Sequence, residues 1–217
     1  RTAEARSHRS ALITTPGPLS GALELSSEVG PLSLADDTFN VEGRDQRNLN
    51  HDVTLSGKNL GVDRLYFDQT SLTFRIGIAN HFSIGVPLTF GAAPMQDVPP
   101  SSIDPNRVRA HGDAAFLLST AISPAYEINF KDSAIRFDAA LVGSVIDVPT
   151  TYIGKDKHGH DVAADASTWQ IAFEPRITVL PYVGRNVGAG FFVEANAAHP
   201  DEWASGLILQ LRWGKAS

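Results

Sequence analysis

The stretch that decides the fold is residues 71–90, SLTFRIGIANHFSIGVPLTF. Apolar side chains occupy every second position on either side of Asn80-His81, and small or polar side chains lie between them. Successive side chains of a β-strand point to opposite faces, so the pattern predicts a hairpin with one apolar and one polar face. The apolar series is Leu72, Phe74, Ile76 and Ile78, then Phe82, Ile84, Val86, Leu88 and Phe90.

The same alternation recurs along the chain, whereas helical spacing of apolar residues is scarce. Repeated period-two segments of this kind predict an all-β protein. We expect an eight-stranded antiparallel up-and-down β-barrel. The predicted strands are 19–29, 71–80, 82–90, 112–130, 134–146, 168–183, 187–198 and 203–213.

The connections between these strands alternate in length. The short ones are 80–81, 131–133 and 184–186, and the long ones are 30–65, 92–111 and 147–167. In outer-membrane barrels the short turns are periplasmic and the long loops are extracellular. The only exception is the short connection 199–202. An even number of strands would place both ends of the barrel domain in the periplasm.

Composition excludes several classes of protein. The 217 residues contain no cysteine and carry a net charge of −6. A disulfide scaffold and a thiolate metal site are therefore excluded, and no basic surface for nucleic acid is expected. No apolar run is long enough for a transmembrane helix. We expect residues 1–16 to form a flexible periplasmic tail, 17–213 the barrel, and 214–217 a short overhang.

The second face of the strands indicates what lies inside the barrel. It carries small residues and charges of both signs but almost no lysine, which is the usual solvating residue of a soluble exterior. Arginine favours fixed ion pairs. We therefore predict a polar lumen filled by a charge network, with the apolar face towards lipid. The predicted network is Arg75, Arg136, Asp138, Glu174, Arg176, Glu194 and Arg212, and Glu24 and Gln210 lie on the same face.

The turn 184–186 predicts a register for one hairpin. If Val183 opposes Val187, then Arg176 lies directly opposite Glu194. Such a pair would belong to the lumen of a membrane barrel. The alternative is a cross-strand pair on the surface of a soluble sheet.

Aromatic residues lie near the ends of several predicted strands. Trp203 and Trp213 bracket the last one, and ten residues of tilted strand rise roughly 23 Å, close to the ~25 Å apolar band of such barrels. We predict that aromatic side chains mark the two membrane interfaces. The predicted interfacial residues are Trp169, Phe90, Phe67 and Trp203 at the upper side, and Phe82, Phe130, Val183 and Trp213 at the lower side.

The hairpin LTFRIGIANHFSIGVPLTFG and the closing GLILQLRW resemble the strands of small eight-stranded outer-membrane β-barrels, in general form the OmpA transmembrane domain and OmpW. The resemblance extends over about residues 17–213 and is one of pattern. It implies a porin-like transmembrane barrel in the outer membrane of a Gram-negative bacterium. The strand prolines Pro87, Pro124, Pro175 and Pro181 are then expected at bulges or strand ends, because a closed barrel has no free edge.

Candidate chemistry is sparse. His158, His160 and Asp161 could bind a divalent metal, but their spacing fixes no geometry, and a solvated loop is the alternative. Some small outer-membrane barrels modify lipid A through Ser, His and acidic residues. The pairs His111–Asp113 and His199–Asp201 are candidates for such a site, against ordinary polar residues of the barrel rim. We predict no catalytic residues, no metal and no cofactor.

Function is expected to lie in the long loops. An eight-stranded lumen is just filled by side chains, so an open pore is not expected. We predict a non-enzymatic scaffold or loop-binding protein, alone or within a larger outer-membrane assembly, whose loops 30–65, 92–111 and 147–167 contact protein partners or lipopolysaccharide. The alternatives are a narrow solute channel, a soluble lipocalin-like barrel with an apolar ligand, and a lipid A-modifying enzyme.

Overall fold

A computed structural model describes residues 20–43, 53–96, 108–155, 161–183 and 186–214. Strands dominate this part of the chain, and none of its helices is long and apolar enough to cross a membrane. The elements are β1 (Gly21–Ser33), β2 (Thr38–Gly43), β3 (Val53–Ser56), α1 (Gly57–Leu60), β4 (Arg64–Ala79), β5 (Phe82–Pro94), β6 (Val108–Ala110), β7 (Ala114–Asn129), β8 (Ala134–Lys155), β9 (Asp161–Val183), β10 (Val187–Ala195) and β11 (Trp203–Trp213).

Eight of the strands form a closed antiparallel ring. Their order is β1, β4, β5, β7, β8, β9, β10 and β11, and β11 pairs with β1. The closing ladder runs from the pair Gly21–Trp213 to the pair Val29–Ser205. A closed ring satisfies its backbone groups internally and leaves no edge along the barrel. The predicted eight-stranded up-and-down barrel is confirmed.

The barrel is apolar outside and polar inside. Outward-facing Leu, Ile, Val and Phe side chains are exposed around the ring, for example Ile122 at 61% and Leu209 at 57%. Inward-facing Arg136 is only 1% exposed. Among the described strand residues, outward-facing charges occur only towards the loop ends of the strands, for example Asp68 and Asp147. This arrangement is the inverse of a soluble barrel and is that of a transmembrane β-barrel, so the lipocalin-like alternative is wrong.

A charge placed on the outer band tests this assignment. Leu209 lies in the middle of β11, and we expect Leu209→Arg to lower the free energy of unfolding in phospholipid vesicles by about 2–4 kcal/mol. Val29 is also outward-facing but lies near the loop end of the band. Val29→Arg is the matched control, and we expect it to lower the free energy of unfolding by about 0–1 kcal/mol. Equal costs at the two depths would contradict a lipid-facing band.

Three of the strand prolines differ from expectation, because they lie in mid-strand and at no bulge. Pro87 and Pro124 lie in mid-strand, in gaps of the β5–β7 and β7–β8 ladders that do not change the register. Proline has no N–H to donate, so each loses bonds on one side only. On the other side Pro87 still pairs with Thr73, and Pro124 with Ile84. Pro175 is also in mid-strand, where it pairs with Ala139 of β8, and on its other side it lies beyond the last β9–β10 pair.

The predicted register of the β9–β10 hairpin is right at one end and wrong at the other. Arg176 lies opposite Glu194 as expected, but Val183 pairs with Gly188 instead of Val187. A one-residue shift therefore lies between the turn and the charged pair.

The shift is a β-bulge that places Leu180 and Pro181 opposite Gly190. A Cβ on Gly190 would collide with the backbone of β9, so glycine fits this close approach. An extra residue reverses the facing of the side chains beyond it. Val183 is therefore buried in the lumen and Tyr182 is exposed, which corrects the expectation that Val183 lies at the lower interface.

Parts of the segments predicted as loops 30–65, 92–111 and 147–167 are strands. β1 runs to Ser33, β5 runs to Pro94, and the β8–β9 ladder extends to the pair Lys155–Asp161. The prediction treated polar sequence as loop. Beyond the lipid, however, a strand can face water on its outer side and needs apolar residues only inside, here Val148 and Ala166.

The loop end of the barrel is closed by a small folded unit. We call residues 34–43 and 53–63 the cap, which contains β2, α1 and β3. β2 pairs with β9 on one side and β3 on the other. The cap and the ring share one apolar core, which also buries Phe67 and so corrects its expected place at the upper interface. The cap residues in this core are Leu34, Phe39, Val41, Leu55, Leu60 and Val62.

Candidate functional site

The lumen near the turn end contains a layer of buried ion pairs. At its centre, Arg136 donates from Nη1 to Glu24 Oε1 at 2.6 Å and from Nε to Asp138 Oδ2 at 2.8 Å. Arg75 joins the same two carboxylates, through Nε to Glu24 at 3.1 Å and Nη2 to Asp138 at 2.7 Å. Two buried guanidinium groups therefore satisfy two buried carboxylates in the lumen.

The layer continues towards the first and last strands. Gln210 Nε2 donates to Glu24 Oε1 at 2.7 Å, and Gln210 Oε1 accepts from Arg212 Nε at 2.9 Å. Arg212 also binds Glu127 with both Nη atoms, at 3.0 and 2.9 Å. This bidentate geometry is the strong form of an arginine–carboxylate pair. We call Glu24, Arg75, Glu127, Arg136, Asp138, Gln210 and Arg212 the ion-pair layer.

The ion-pair layer is balanced in charge and is assembled from distant parts of the chain. Its three arginines face three carboxylates, contributed by β1, β4, β7, β8 and β11. Each residue occupies an inward position of its strand, so the period-two pattern alone aims them at one another. The layer fills the lumen, as expected for eight strands.

A second charged group lies nearer the loop end. Arg176 binds Glu194 at 2.5 Å and Glu28 at 3.2 Å, and its guanidinium lies 4.0 Å from the ring centre of Phe192. Glu174 lines a lumen cavity together with Glu28, Arg176 and Glu194. Here three carboxylates share one arginine, unlike the balanced ion-pair layer.

The structure places the predicted network in the lumen, in two groups. Arg75, Arg136, Asp138 and Arg212 belong to the ion-pair layer. Glu174, Arg176 and Glu194 belong to the second group.

The sequence prediction missed two lumen carboxylates. Glu28 and Glu127 are buried partners of Arg176 and Arg212. Their signal is the same alternation, because each is flanked by outward-facing residues. Glu127, for example, lies between Tyr126 and Ile128.

The candidate metal and catalytic residues receive little support. His158 and His160 lie outside the described residues, and the Asp161 side chain is not described. Within the described ranges no group of three or more His, Cys, Asp or Glu could hold a metal ion. The metal site and the catalytic pairs His111–Asp113 and His199–Asp201 stay hypotheses from sequence, and Asp201 itself lies 3.8 Å from Arg64.

The predicted interfacial aromatics Phe82, Phe90, Trp169, Trp203 and Trp213 all face outward and are exposed. Trp203 and Trp213 are the first and last residues of β11. Phe82 is the first residue of β5, and its ring centre lies 4.9 Å from that of Tyr126. The strand-end positions of Trp203, Trp213 and Phe82 fit the interfaces of a bilayer, whereas Phe90 and Trp169 lie within β5 and β9, which continue beyond them.

The cap contains a carboxyl group with a shifted pKa. Burial raises the pKa of Asp37 above its ordinary value of 3.8, although the Gln170 side-chain amide donates to it and His199 lies near. The folded cap therefore favours protonated Asp37. The contribution of Asp37 to the stability of the folded cap is therefore fully present below pH 3.8 and is lost as the pH rises through the raised pKa.

We therefore expect cap stability to fall with rising pH across this window, and Asp37→Asn to remove that slope. Hydrogen exchange of the Gly57 amide, which donates to Asp37 O at 3.0 Å, measures cap opening at each pH. The exposed neighbour gives the matched control, Asp36→Asn. If cap stability still falls with rising pH in the Asp37→Asn variant, Asp37 is not the group responsible for the pH dependence.

No protein-family model matches the chain, and no curated protein matches it. Among solved structures the chain is similar to neisserial surface protein A, with 12% identity over 89% of this chain and 95% of that chain and a TM-score of 0.48. It is also similar to Ail, the attachment invasion locus protein of Yersinia pestis, with 10% identity, 90% and 99% coverage and a TM-score of 0.43. It is likewise similar to the N-terminal β-barrel domain of Pseudomonas aeruginosa OprF, with 12% identity over 91% of this chain and 99% of that chain and a TM-score of 0.39.

The closed eight-stranded ring and its outward-facing apolar band confirm the resemblance to small outer-membrane barrels noted in the sequence. The ring of strands, its lipid-facing band and its short turns at one end are independent of these comparisons. Single-chain antiparallel barrels with an even number of strands and this arrangement are those of bacterial outer membranes. The protein is an outer-membrane β-barrel, with the cap on the extracellular side.

Proposed function

We propose that the protein is a non-enzymatic scaffold that presents its cap to a protein partner outside the cell. The observation that carries this proposal is the apolar core shared by the cap and the ring. Phe39, Leu55 and Leu60 pack against the barrel wall, so the cap is fixed to the barrel and does not behave as a free loop. Binding surfaces held on a rigid scaffold lose little entropy when they bind.

The charge of the loop end favours a protein partner over direct contact with lipopolysaccharide. Exposed charges among the described residues there are mainly acidic, and only Lys58 and Arg64 are exposed cations. An acidic surface repels lipid phosphates and attracts a cationic protein surface. The exposed acidic residues are Asp36, Glu42, Asp63, Asp68, Asp113, Asp147 and Asp201.

A closed lumen distinguishes the scaffold from the alternative of a solute channel. The ion-pair layer fills the lumen on the periplasmic side, and the apolar core fills it on the extracellular side. We expect purified protein in planar bilayers to show no discrete, reproducible conductance. A reproducible conductance that changes in an Arg136 variant would support the channel instead.

Photo-crosslinking on intact cells tests the partner. A photoreactive residue at exposed Thr38 or Asn40 of the cap is expected to give a discrete adduct, whereas one at Lys131, in a short turn, is not. The double variant Glu42→Lys/Asp63→Lys should abolish the adduct. The matched control is Asp132→Lys in the same short turn. The proposal fails if the adduct survives the cap variant, or if no adduct forms at either cap position.

A further inference from the structure

The cap has a strand edge that no other described strand covers. In the order of the sheet β3 is the last strand, and among the described residues it pairs only with β2. The two strands are joined without a change of register, from the pair Thr38–Ser56 to the pair Val41–Val53. The other edge of β3 is therefore available to a further strand.

The direction of the free backbone groups follows from one hydrogen bond. Gly57 N donates to Asp37 O at 3.0 Å, at the position where the β2–β3 register continues by one pair towards α1. In an antiparallel ladder, hydrogen-bonded pairs alternate with pairs that are not bonded. Leu55 therefore bonds to β2, whereas Thr54 and Ser56 direct their backbone groups away from it.

Three backbone groups at this edge are open to a partner. Ser56 is the N-cap of α1, so its C=O accepts the first bond of that helix, and its side chain accepts from Asn59 N at 3.2 Å. The open groups are the N–H and C=O of Thr54 and the N–H of Ser56. Another chain can reach them, because Thr54 is exposed.

The edge is fixed in place and lacks the usual protection. Leu55 is buried in the core shared with the ring, and a Cβ on Gly57 would collide with the backbone of Leu34. Sheet edges are commonly protected by lysine, proline or a bulge. The strand β3, Val-Thr-Leu-Ser, has none of these. An extended chain can therefore pair with a preformed edge, which keeps the entropic cost of binding low.

The outer face of the cap sheet, which is turned away from the apolar core, carries acidic charge. Glu42 is exposed on this face and lies directly opposite Asp165 of β9. Like charges in direct opposition destabilise a sheet. Neighbouring strands lie about 4.8 Å apart, so a strand added to β3 would lie about 10 Å from β2, within reach of an extended lysine or arginine side chain. Basic side chains on the added strand are therefore favoured over acidic ones.

We propose that β3 takes up an extended segment of the protein partner as an added strand, with basic side chains on the outer face. The backbone of Thr54 forms the two hydrogen bonds at the centre of this pairing. In complexes of this kind the main-chain bonds supply affinity and the side chains supply specificity. The inference rests on the partner proposed for the cap and specifies how the cap holds it.

Thr54→Pro tests the pairing in protein that carries a photoreactive residue at Asn40. Proline removes an N–H that points away from β2, so the cap loses no bond, while its ring obstructs an approaching strand. The yield of adduct on intact cells should fall about tenfold. Thr54→Ala is the matched control and should give the adduct of the parent, because only the backbone of Thr54 takes part in the pairing. Unchanged hydrogen exchange of the Gly57 amide shows that the cap of each variant is folded.

Hydrogen exchange of the purified Asn40 adduct gives a second readout that needs no change in β3. The Thr54 and Ser56 amides should exchange about tenfold more slowly than in the free protein. The amide of Lys131, in a short turn at the other end of the barrel, should not change.

Three results would overturn the added strand. They are a full yield of adduct in Thr54→Pro with a folded cap, an unprotected Thr54 amide in the adduct, and an adduct of twice the mass of the chain, which would show two paired copies. The first two results leave a protein partner on the cap. If no adduct forms in the parent, the proposed partner itself fails, and the added strand fails with it.

Discussion

Arg136→Met is expected to lower the free energy of unfolding by about 3–5 kcal/mol, because the two buried carboxylates Glu24 and Asp138 are then left with Arg75 as their one cation. Arg136 is 1% exposed and binds both Glu24 and Asp138. Methionine keeps most of the side-chain volume, so the loss reports charge and hydrogen bonding more than packing. Urea unfolding in phospholipid vesicles, followed by heat-modifiable migration, measures the change.

A surface arginine provides the control for this experiment. Arg64 lies 3.8 Å from Asp201 and both side chains are well exposed. Arg64→Met should change stability by about 0–1 kcal/mol, the usual range for an exposed pair. The double variant Glu24→Gln/Arg136→Met should recover part of the loss, since Arg75 and Asp138 still pair and no buried charge is then left unpaired at the centre. A loss in Arg136→Met no larger than that of the control would contradict a functioning ion-pair layer.

Phe39→Ala is expected to cost about 3–5 kcal/mol of cap stability, the usual range for removing a buried phenylalanine. Phe39 is completely buried in the core between the cap and the ring. The ring itself keeps its ladders, so the loss should appear as local opening. Hydrogen exchange should therefore accelerate at the cap amides Leu34 and Val62 and stay unchanged in β7 and β8.

The neighbouring residue gives a matched control for the cap. Thr38 lies in the same strand, β2, and is exposed. Thr38→Ala should leave exchange in the cap close to that of the parent. If hydrogen exchange in the Phe39→Ala variant also accelerates throughout the eight-stranded ring, the cap and the barrel unfold as one unit. That result would contradict local opening of the cap.

The sequence predicted the ring well because lipid imposes a strict alternation on each strand. The pairing of Arg176 with Glu194 followed from that alternation and a short turn. The bulge at Gly190 was not predictable from the pattern, because one inserted residue leaves the sequence apolar on either side of it. Val183 was misplaced for this reason.

The cap was missed for a different reason. Beyond the bilayer, water solvates the outer face of a strand, so the lipid-imposed alternation ends there. Phe39, Val41 and Leu55 are too few and too dispersed to show a period. Their packing partners, such as Phe67 and Ile146, come from distant strands, and only the closed ring brings them together. The contacts of Arg212 with Glu127 likewise depend on tertiary structure.

The ion-pair layer has a consequence for how the barrel assembles. Glu24 lies on the first strand of the ring, and Gln210 and Arg212 lie on the last. Until the seam between β1 and β11 closes, Glu24 lacks its Gln210 donor and Glu127 lacks both bonds from Arg212. A half-inserted sheet would expose these charges to lipid, where each is costly. The chain therefore gains the contacts of Gln210 and Arg212 only in the final joining of its two terminal strands, which favours complete barrels over partly assembled ones.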